Sequence, residues 1–388
     1  MAKEKINATT KREDWIDLTR LIAMLIVMMN HCGLVFKGVN FWGGMFYVPV
    51  FFVLSGFLWK RERPPVREEL SHRAGRLLVP YFTVNIILVG IFLVRDVIKG
   101  DYSETFLRTF GFLYGRNQLY SDAGTLFARD MFVLPNNAGR DTFFMTALNA
   151  PTWFLPALFL TVFTIEFLYV VSLYRLRDSG EPESNREKFA MHRVIIAVAI
   201  MMLAGLTWHY LTPLLLPWSI DAISFFAVFF LLGHLLGQWG GWKWMMSHQW
   251  MFALGLVLLI PGGIINGSAN FSVGMYGKSL MLAYLNAASS SLIIMYICFR
   301  MRKHIPKILV YAGSKTLPLL CWHYPVLVCM ERIRERFAGF TLEGSDLDFV
   351  RILEIVLTIV LICLADETLC IIKKMIREKK AEKENGRK

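Results

Sequence analysis

Long apolar runs separated by short, mostly basic connections set the pattern of this chain. Ten runs approach the length that crosses a hydrocarbon core, at residues 16–36, 44–60, 80–98, 152–173, 194–212, 218–238, 249–266, 279–299, 308–330 and 350–372. The second and seventh are short or broken by glycine and proline. The fold class that follows is an all-α polytopic membrane helix bundle of about ten transmembrane helices. The first run lacks a small-residue cleavage site and continues past the length of a signal core, so it is expected to remain as the first helix.

Charge placement orients the bundle. Lys60, Arg61, Arg63, Arg67, Arg73 and Arg76 lie between spans two and three, and Arg175, Arg177, Arg186, Lys188 and Arg193 between four and five. Arg300, Arg302, Lys303 and Lys307 lie between eight and nine, and both ends of the sequence are rich in Lys and Arg. An even number of spans puts all of these on one side and predicts cytoplasmic termini. The loop from Glu331 to Arg351 is discordant, since it carries Arg332, Arg334 and Arg336 on the opposite side with balancing acids. The predicted organisation is a cytoplasmic segment over 1–14, a transmembrane domain over 15–376 and a charged, disordered cytoplasmic tail over 377–388.

Hydrophobic residues make up 55% of the chain and charged residues 19%, a balance foreign to a soluble globular protein. The net charge of +12 then reads as a topology signal and not as a nucleic-acid footprint, and no nucleic-acid-binding motif is present. The six cysteines all fall in apolar spans without CxxC spacing, so they read as small buried hydrophobes, with neither disulfides nor a metal site implied. No phosphate-binding loop or dinucleotide fingerprint appears, which excludes support for ATP-driven or NAD-linked chemistry.

Polar residues inside the apolar runs carry the candidate chemistry. Arg20 and His31 are eleven positions apart in DLTRLIAMLIVMMNHCGLVF, which is about 20° around a helix axis and roughly 16 Å along it. One helix face thus holds a cation and a titratable base, groups that normally face a polar cavity within a bundle. Arg73 and Arg76, in SHRAGRLLVPY, share a helix face ahead of Pro80, where the third span is expected to begin. They serve either simple cytoplasmic retention or the grip of phosphate oxygens, for which paired guanidinium groups are suited. In FFVLSGFL, Ser55 and Gly56 interrupt an aromatic wall, either for close helix packing or as a slot for a thin ligand chain. His323, in CWHYPV, lies near mid-membrane. Trp153, Trp218, His209 and Asp221 are placed near the outer face, as aromatic-belt and helix-start residues or as stacking and hydrogen-bonding contacts to a sugar. Glu166, Asp366 and Glu367 are expected to pair with basic groups of the first and third helices. The loop from about Lys99 to Ala150, with Tyr114, Tyr120, Asp122, Asp130 and Asp141, shows no clear periodicity and is a candidate for acceptor recognition.

Arg-x10-His in the first run, FFVLSGFL in the second, RxxRLxxPY over Arg73 to Tyr81, PTWFLPALF at the fourth and CWHYPV late in the chain resemble, in that order, the acyltransferase-3 family of integral membrane O-acyltransferases that modify bacterial surface glycans. The resemblance runs from Trp15 to about Cys370. The run LPWSIDAISFFAVFFLLGHLLG resembles the branch with fucose acetylase-like members.

The resemblance implies an acyl-CoA donor, usually acetyl-CoA, taken from the cytoplasm as a co-substrate, with no permanently bound cofactor. The acceptor it implies is a hydroxyl on a surface polysaccharide or a lipid-linked glycan, and the location is the cell (inner or plasma) membrane. His31 matches the motif histidine, a general base for the acceptor hydroxyl, and Arg20 its arginine. Arg73 and Arg76 match the cytoplasmic arginine pair for the CoA phosphates, with the pantetheine arm running up the first helix. Ser55 and Gly56 match its SG step as further donor contacts, and His323, at a family-like position, either orients a partner, contacts the acyl carrier or packs as a hydrogen-bonded histidine. Trp153 and Asp221 are acceptor contacts by their own chemistry, an aromatic face and a carboxylate for a sugar. Some family members carry an extracytoplasmic hydrolase-like domain after the membrane part. Here the membrane domain is expected to complete the transfer alone or pass it to a separate partner. Two other classes stay open at this level. Pro213, Pro217 and Pro261 and the intramembrane charges would also suit a transporter, and a non-catalytic component of a polysaccharide assembly complex is the third reading.

Overall fold

The computed structural model describes residues 13–34, 47–59, 66–116, 149–238, 240–267, 269–337 and 344–385. Among these the chain is helical, with a single isolated bridge between Asn270 and Met275 outside the helices. Six helices are long and apolar enough to cross a membrane, or seven if the pair Gly241–Ser247 and Trp250–Asn266, bent by 93°, counts as one. The chain is therefore an all-α polytopic membrane protein. It divides into two compact units, Met1–Val35 with Ile297–Lys388, and Phe36–Tyr296.

The first unit is built on α1 (Asp14–His31). Asp14 and Asp17 sit in its first turn, where the helix dipole favours acids. Arg20 donates from Nη1 to Asp17 Oδ1 at 3.2 Å. With three charges in 18 residues, α1 is more polar than a lipid-facing span, and its residues Trp15, Leu18, Leu21, Met24 and Met28 are buried in protein. Packed with it are α11 (Lys307–Ser314), α12 (Thr316–Phe337) and α13 (Gly344–Asn385). The expected ninth span is thus two helices, divided at Lys315. Lys315 holds the division by pairing with Asp366 at 2.8 Å and Glu367 at 2.6 Å on α13, while Tyr311 donates to Glu367. These acids were expected to meet the first or third helix; they serve this break instead. Gly313 lies so close to the Asp17 backbone that a methyl group there would collide with it.

The charged segment from Arg377, expected to be disordered, continues α13 as helix to Asn385. Ala, Glu, Lys and Arg are strong helix formers, and Lys374 and Glu378 stand in i,i+4 register.

The second unit contains α2 (Pro49–Phe57), α3 (Val66–Lys99), α4 (Ser103–Tyr114), α5 (Phe154–Arg175) and α6 (Glu183–Leu211), then α7 (Ile220–Gln238), α8 (Gly241–Ser247) and α9 (Trp250–Asn266). α10 (Leu280–Met301) runs from this unit into the first. α3 begins well before the expected span and passes through Pro80. α4 occupies part of the loop that shows no clear periodicity in the sequence; Tyr120, Asp122, Asp130 and Asp141 lie outside the described residues, as do Lys60, Arg61 and Arg63.

α2, nine residues or about 14 Å long, is too short to cross the hydrocarbon core alone. Its apolarity has another cause, burial against α7. Phe52 stacks on Phe226 with centroids 4.1 Å apart. Cβ atoms added at Gly56, Gly233 or Gly237 would strike the carbonyls of Phe230, Val53 and Phe57 respectively. Two helix backbones this close need glycine on both sides. Gly56→Ala is expected to destabilise the protein by about 1–3 kcal/mol as an overpacked contact, measured as a lower melting temperature with normal insertion; an unchanged melting temperature would mean that the helices can move apart at little cost.

Candidate functional site

The first unit holds a histidine pair. His31 closes α1, which ends through the Cys32 N–H bonded to the Met28 carbonyl and through Gly33 at φ 70°. As a residue His31 is exposed, whereas His323, on α12, is wholly buried at 0% exposure. The two ring centroids are 5.5 Å apart, and Tyr324 presents an edge to His31 at 5.2 Å. Two segments nearly three hundred positions apart thus supply one cluster.

The end of α1 is braced from outside. The Arg351 guanidinium lies against Gly33, where an added Cβ would come 3.1 Å from Nη2. Arg351 is 3.5 Å from Asp348, and Arg334 is 3.5 Å from Glu354, which is 8% exposed. Arg334 and Arg351 from the discordant loop and its margin are therefore engaged in ion pairs beside α1.

Arg20 shares the stripe of His31, but Met24 and Val27 fill the positions between them and are buried. The expected path for a donor arm along that stripe is occupied by packed side chains.

In the second unit, Arg73 is committed to acids. Its Nε donates to Glu69 Oε1 at 2.6 Å and stands 3.7 Å from Glu166 Oε1 on α5. The same Glu166 oxygen accepts from Trp59 Nε1 at 3.0 Å, and Oε2 is buried without a hydrogen-bond partner among the described residues. The His234 ring packs on Trp59 at 4.7 Å. Glu166 thus pairs with the third helix as expected, and Arg76, one turn on from Arg73, is exposed. Ser55 donates to the Phe51 carbonyl at 2.7 Å, and Gly56 is taken up in helix packing.

Trp153 and Asp221 sit at the start of α5 and α7. Both Asp221 oxygens accept from Arg116 Nη2 at 2.6 Å, and one also accepts the Leu216 N–H at 3.0 Å. Arg116 further donates to the Ser272 carbonyl at 2.8 Å and lies 6.0 Å from the Trp153 ring centre. Trp153 is buried at 7% exposure, packed against Phe154 and Phe226, so its faces are covered. Trp218 donates to the Leu113 carbonyl and has φ 53°, followed by Ser219 at φ 60°. Beside Asp221, a cavity of about 20 Å³ lined by His209, Tyr276 and Tyr284 has room for a water. Burial pushes the Tyr276 phenol well above its ordinary range, so it stays a neutral donor there. Trp153 is thus covered by its neighbours and Asp221 is engaged by Arg116, a residue that carries no local sequence signal.

The fold and these clusters define a polytopic helical membrane protein with titratable groups set into its helices. A family model described as an acyltransferase domain matches residues 13–365, and the chain belongs to this acyltransferase-3 family of membrane acyltransferases. No curated protein and no solved structure matches it.

Proposed function

We propose that the chain moves an acyl group, acetyl in the simplest case, from acyl-CoA to a hydroxyl of a surface polysaccharide or lipid-linked glycan, with His31 as general base. Family membership supports O-acyl transfer. The observation that carries the finer reading is His31 itself, an exposed residue at a helix end with the His323 and Tyr324 rings against its own. A base must reach its substrate and be held in orientation. His31 meets the first requirement, which His323, fully covered, does not.

On the donor side, exposed Arg76 suits the CoA phosphates better than Arg73, whose charge is already shared with Glu69 and Glu166. Arg76→Ala is expected to raise KM for acyl-CoA about tenfold, the loss of one charge-assisted contact, with kcat little changed. Arg73→Ala is expected to reduce folded protein as well, because it strips Glu166 of a partner. Equal KM values for parent and Arg76→Ala would remove Arg76 from the donor site.

The proposal is tested by incubating membranes containing the parent or His31→Ala with labelled acetyl-CoA and following label into the glycan fraction. Label that depends on His31 supports the reading. Equal labelling by both proteins overturns the assignment of the base, and labelled solute uptake without acyl transfer would favour a carrier.

A further inference from the structure

His323 is fully buried, and its Nδ1 lies 2.9 Å from the Leu319 carbonyl and 3.1 Å from the Leu320 carbonyl. Carbonyl oxygens only accept, so Nδ1 carries the proton and Nε2 is left with a lone pair. That Nε2 is buried and meets no hydrogen-bond donor among the described residues. A buried acceptor left unmatched is costly, and the structure keeps one beside the His31 ring. An aligned N–H···N bond of about 2.9 Å sets two imidazole centres about 5 Å apart. The observed centroid separation is 5.5 Å with the rings tilted by 51°, a spacing close to that of such a bond. His31, on the exposed end of α1, is the ring free to turn, since His323 is fixed by its backbone bonds and by complete burial.

We propose that His323 is the positioning residue of His31. It accepts the proton of one His31 ring nitrogen and thereby turns the lone pair of the other toward the acceptor hydroxyl. The inference rests on the reading of His31 as general base. In the step it serves, the hydroxyl proton passes to the free nitrogen of His31 as the hydroxyl oxygen bonds to the thioester carbonyl carbon. The carbon–sulfur bond then breaks, and the departing thiolate takes the proton from the imidazolium. His323 keeps its own proton throughout. While His31 is an imidazolium, the bond between the two rings is charge-assisted, so it strengthens as the transition state is approached. Tyr324 packs against His31 with ring centroids 5.2 Å apart, on the same helix as His323.

The test compares the full-length parent with His323→Phe, which keeps a ring of similar volume but no acceptor, and with His323→Asn, whose side-chain oxygen can accept. The first readout is the rate at which diethyl pyrocarbonate modifies His31, followed by peptide mass spectrometry; it does not depend on any acyl transfer. His31 in the Phe variant is expected to react several-fold more slowly than in the parent, and in the Asn variant at close to the parent rate. The second readout is acyl-transfer kinetics, where the Phe variant is expected to lose about 10²-fold in kcat, the cost of a misdirected catalytic group, with KM for acyl-CoA unchanged. His31 modification at the parent rate in the Phe variant, or equal slowing in the Phe and Asn variants, overturns the pairing. Absence of acyl transfer in the parent would count against the general-base reading, and the modification rates would still decide the pairing.

Discussion

His31→Ala is expected to lower acyl transfer by about 10²- to 10⁴-fold, the range spanned by a lost general acid–base group. The loss should appear in kcat and in kcat/KM alike, because the proton moves only in the transition state. The protein itself should survive the change. His31 is the last residue of α1, it is exposed as a residue, and the helix end is closed by the Cys32 N–H bond and by Gly33 against Arg351, none of which involves the imidazole. Quantitative labelling of the glycan fraction, normalised to the amount of protein in the membrane, is the measurement. A fall in protein amount matching the fall in activity would show that the imidazole is a packing group, and activity within twofold of the parent would remove it from the reaction.

Arg20 differs from His31 in this respect, although the two share a stripe. Arg20 is tied to Asp17 one turn away, and Met24 and Val27 pack between Arg20 and His31. An effect of Arg20→Ala on stability is therefore expected beside any effect on rate.

Periodicity and depth made α1 legible, with its cation and base on one face, because those properties belong to one contiguous helix. Hydropathy could not separate burial in lipid from burial in protein. FFVLSGFL has the composition of a span, yet Pro49–Phe57 is a short helix whose apolar residues face α7. The glycines that allow this approach, Gly56 on one helix and Gly233 and Gly237 on the other, are visible in the sequence, but their pairing depends on tertiary structure. Distance along the chain hid the rest. Lys315 with Asp366 and Glu367, Trp59 with Glu166, and His31 with His323 are pairings that no local pattern encodes. The arginines of the discordant loop illustrate the same limit. Counted as loop charges they oppose the predicted orientation, whereas Arg334 and Arg351 stand against acids within the first unit, where they act as packed ion pairs.

The buried ion pair at the start of α7 is expected to give the largest effect on stability. Asp221→Ala leaves Arg116 charged at 0% side-chain exposure, with two hydrogen bonds removed and the Ser272 carbonyl as its remaining hydrogen-bond partner among the described residues. Removing one member of a buried pair costs about 3–5 kcal/mol, most of it the uncompensated charge. The pair also secures the chain locally. Leu216 donates to Asp221, Tyr114 donates to the Leu215 carbonyl, and Trp218 donates to the Leu113 carbonyl, so the end of α4 and the turn before α7 are tied at one point. Trp218 and Ser219, both at positive φ without being glycine, are held in strained backbone that this tie must maintain. Asp221→Ala should therefore show a lower melting temperature and less protein in the membrane. The double variant Arg116→Met with Asp221→Leu, which removes both charges while keeping volume, should recover much of the loss. Kinetics on the Asp221→Ala protein that remains then separate the two roles. An unchanged KM for the acceptor marks Asp221 as structural, whereas a raised KM with full stability would return it to the acceptor site and require Arg116 to release it when the acceptor binds.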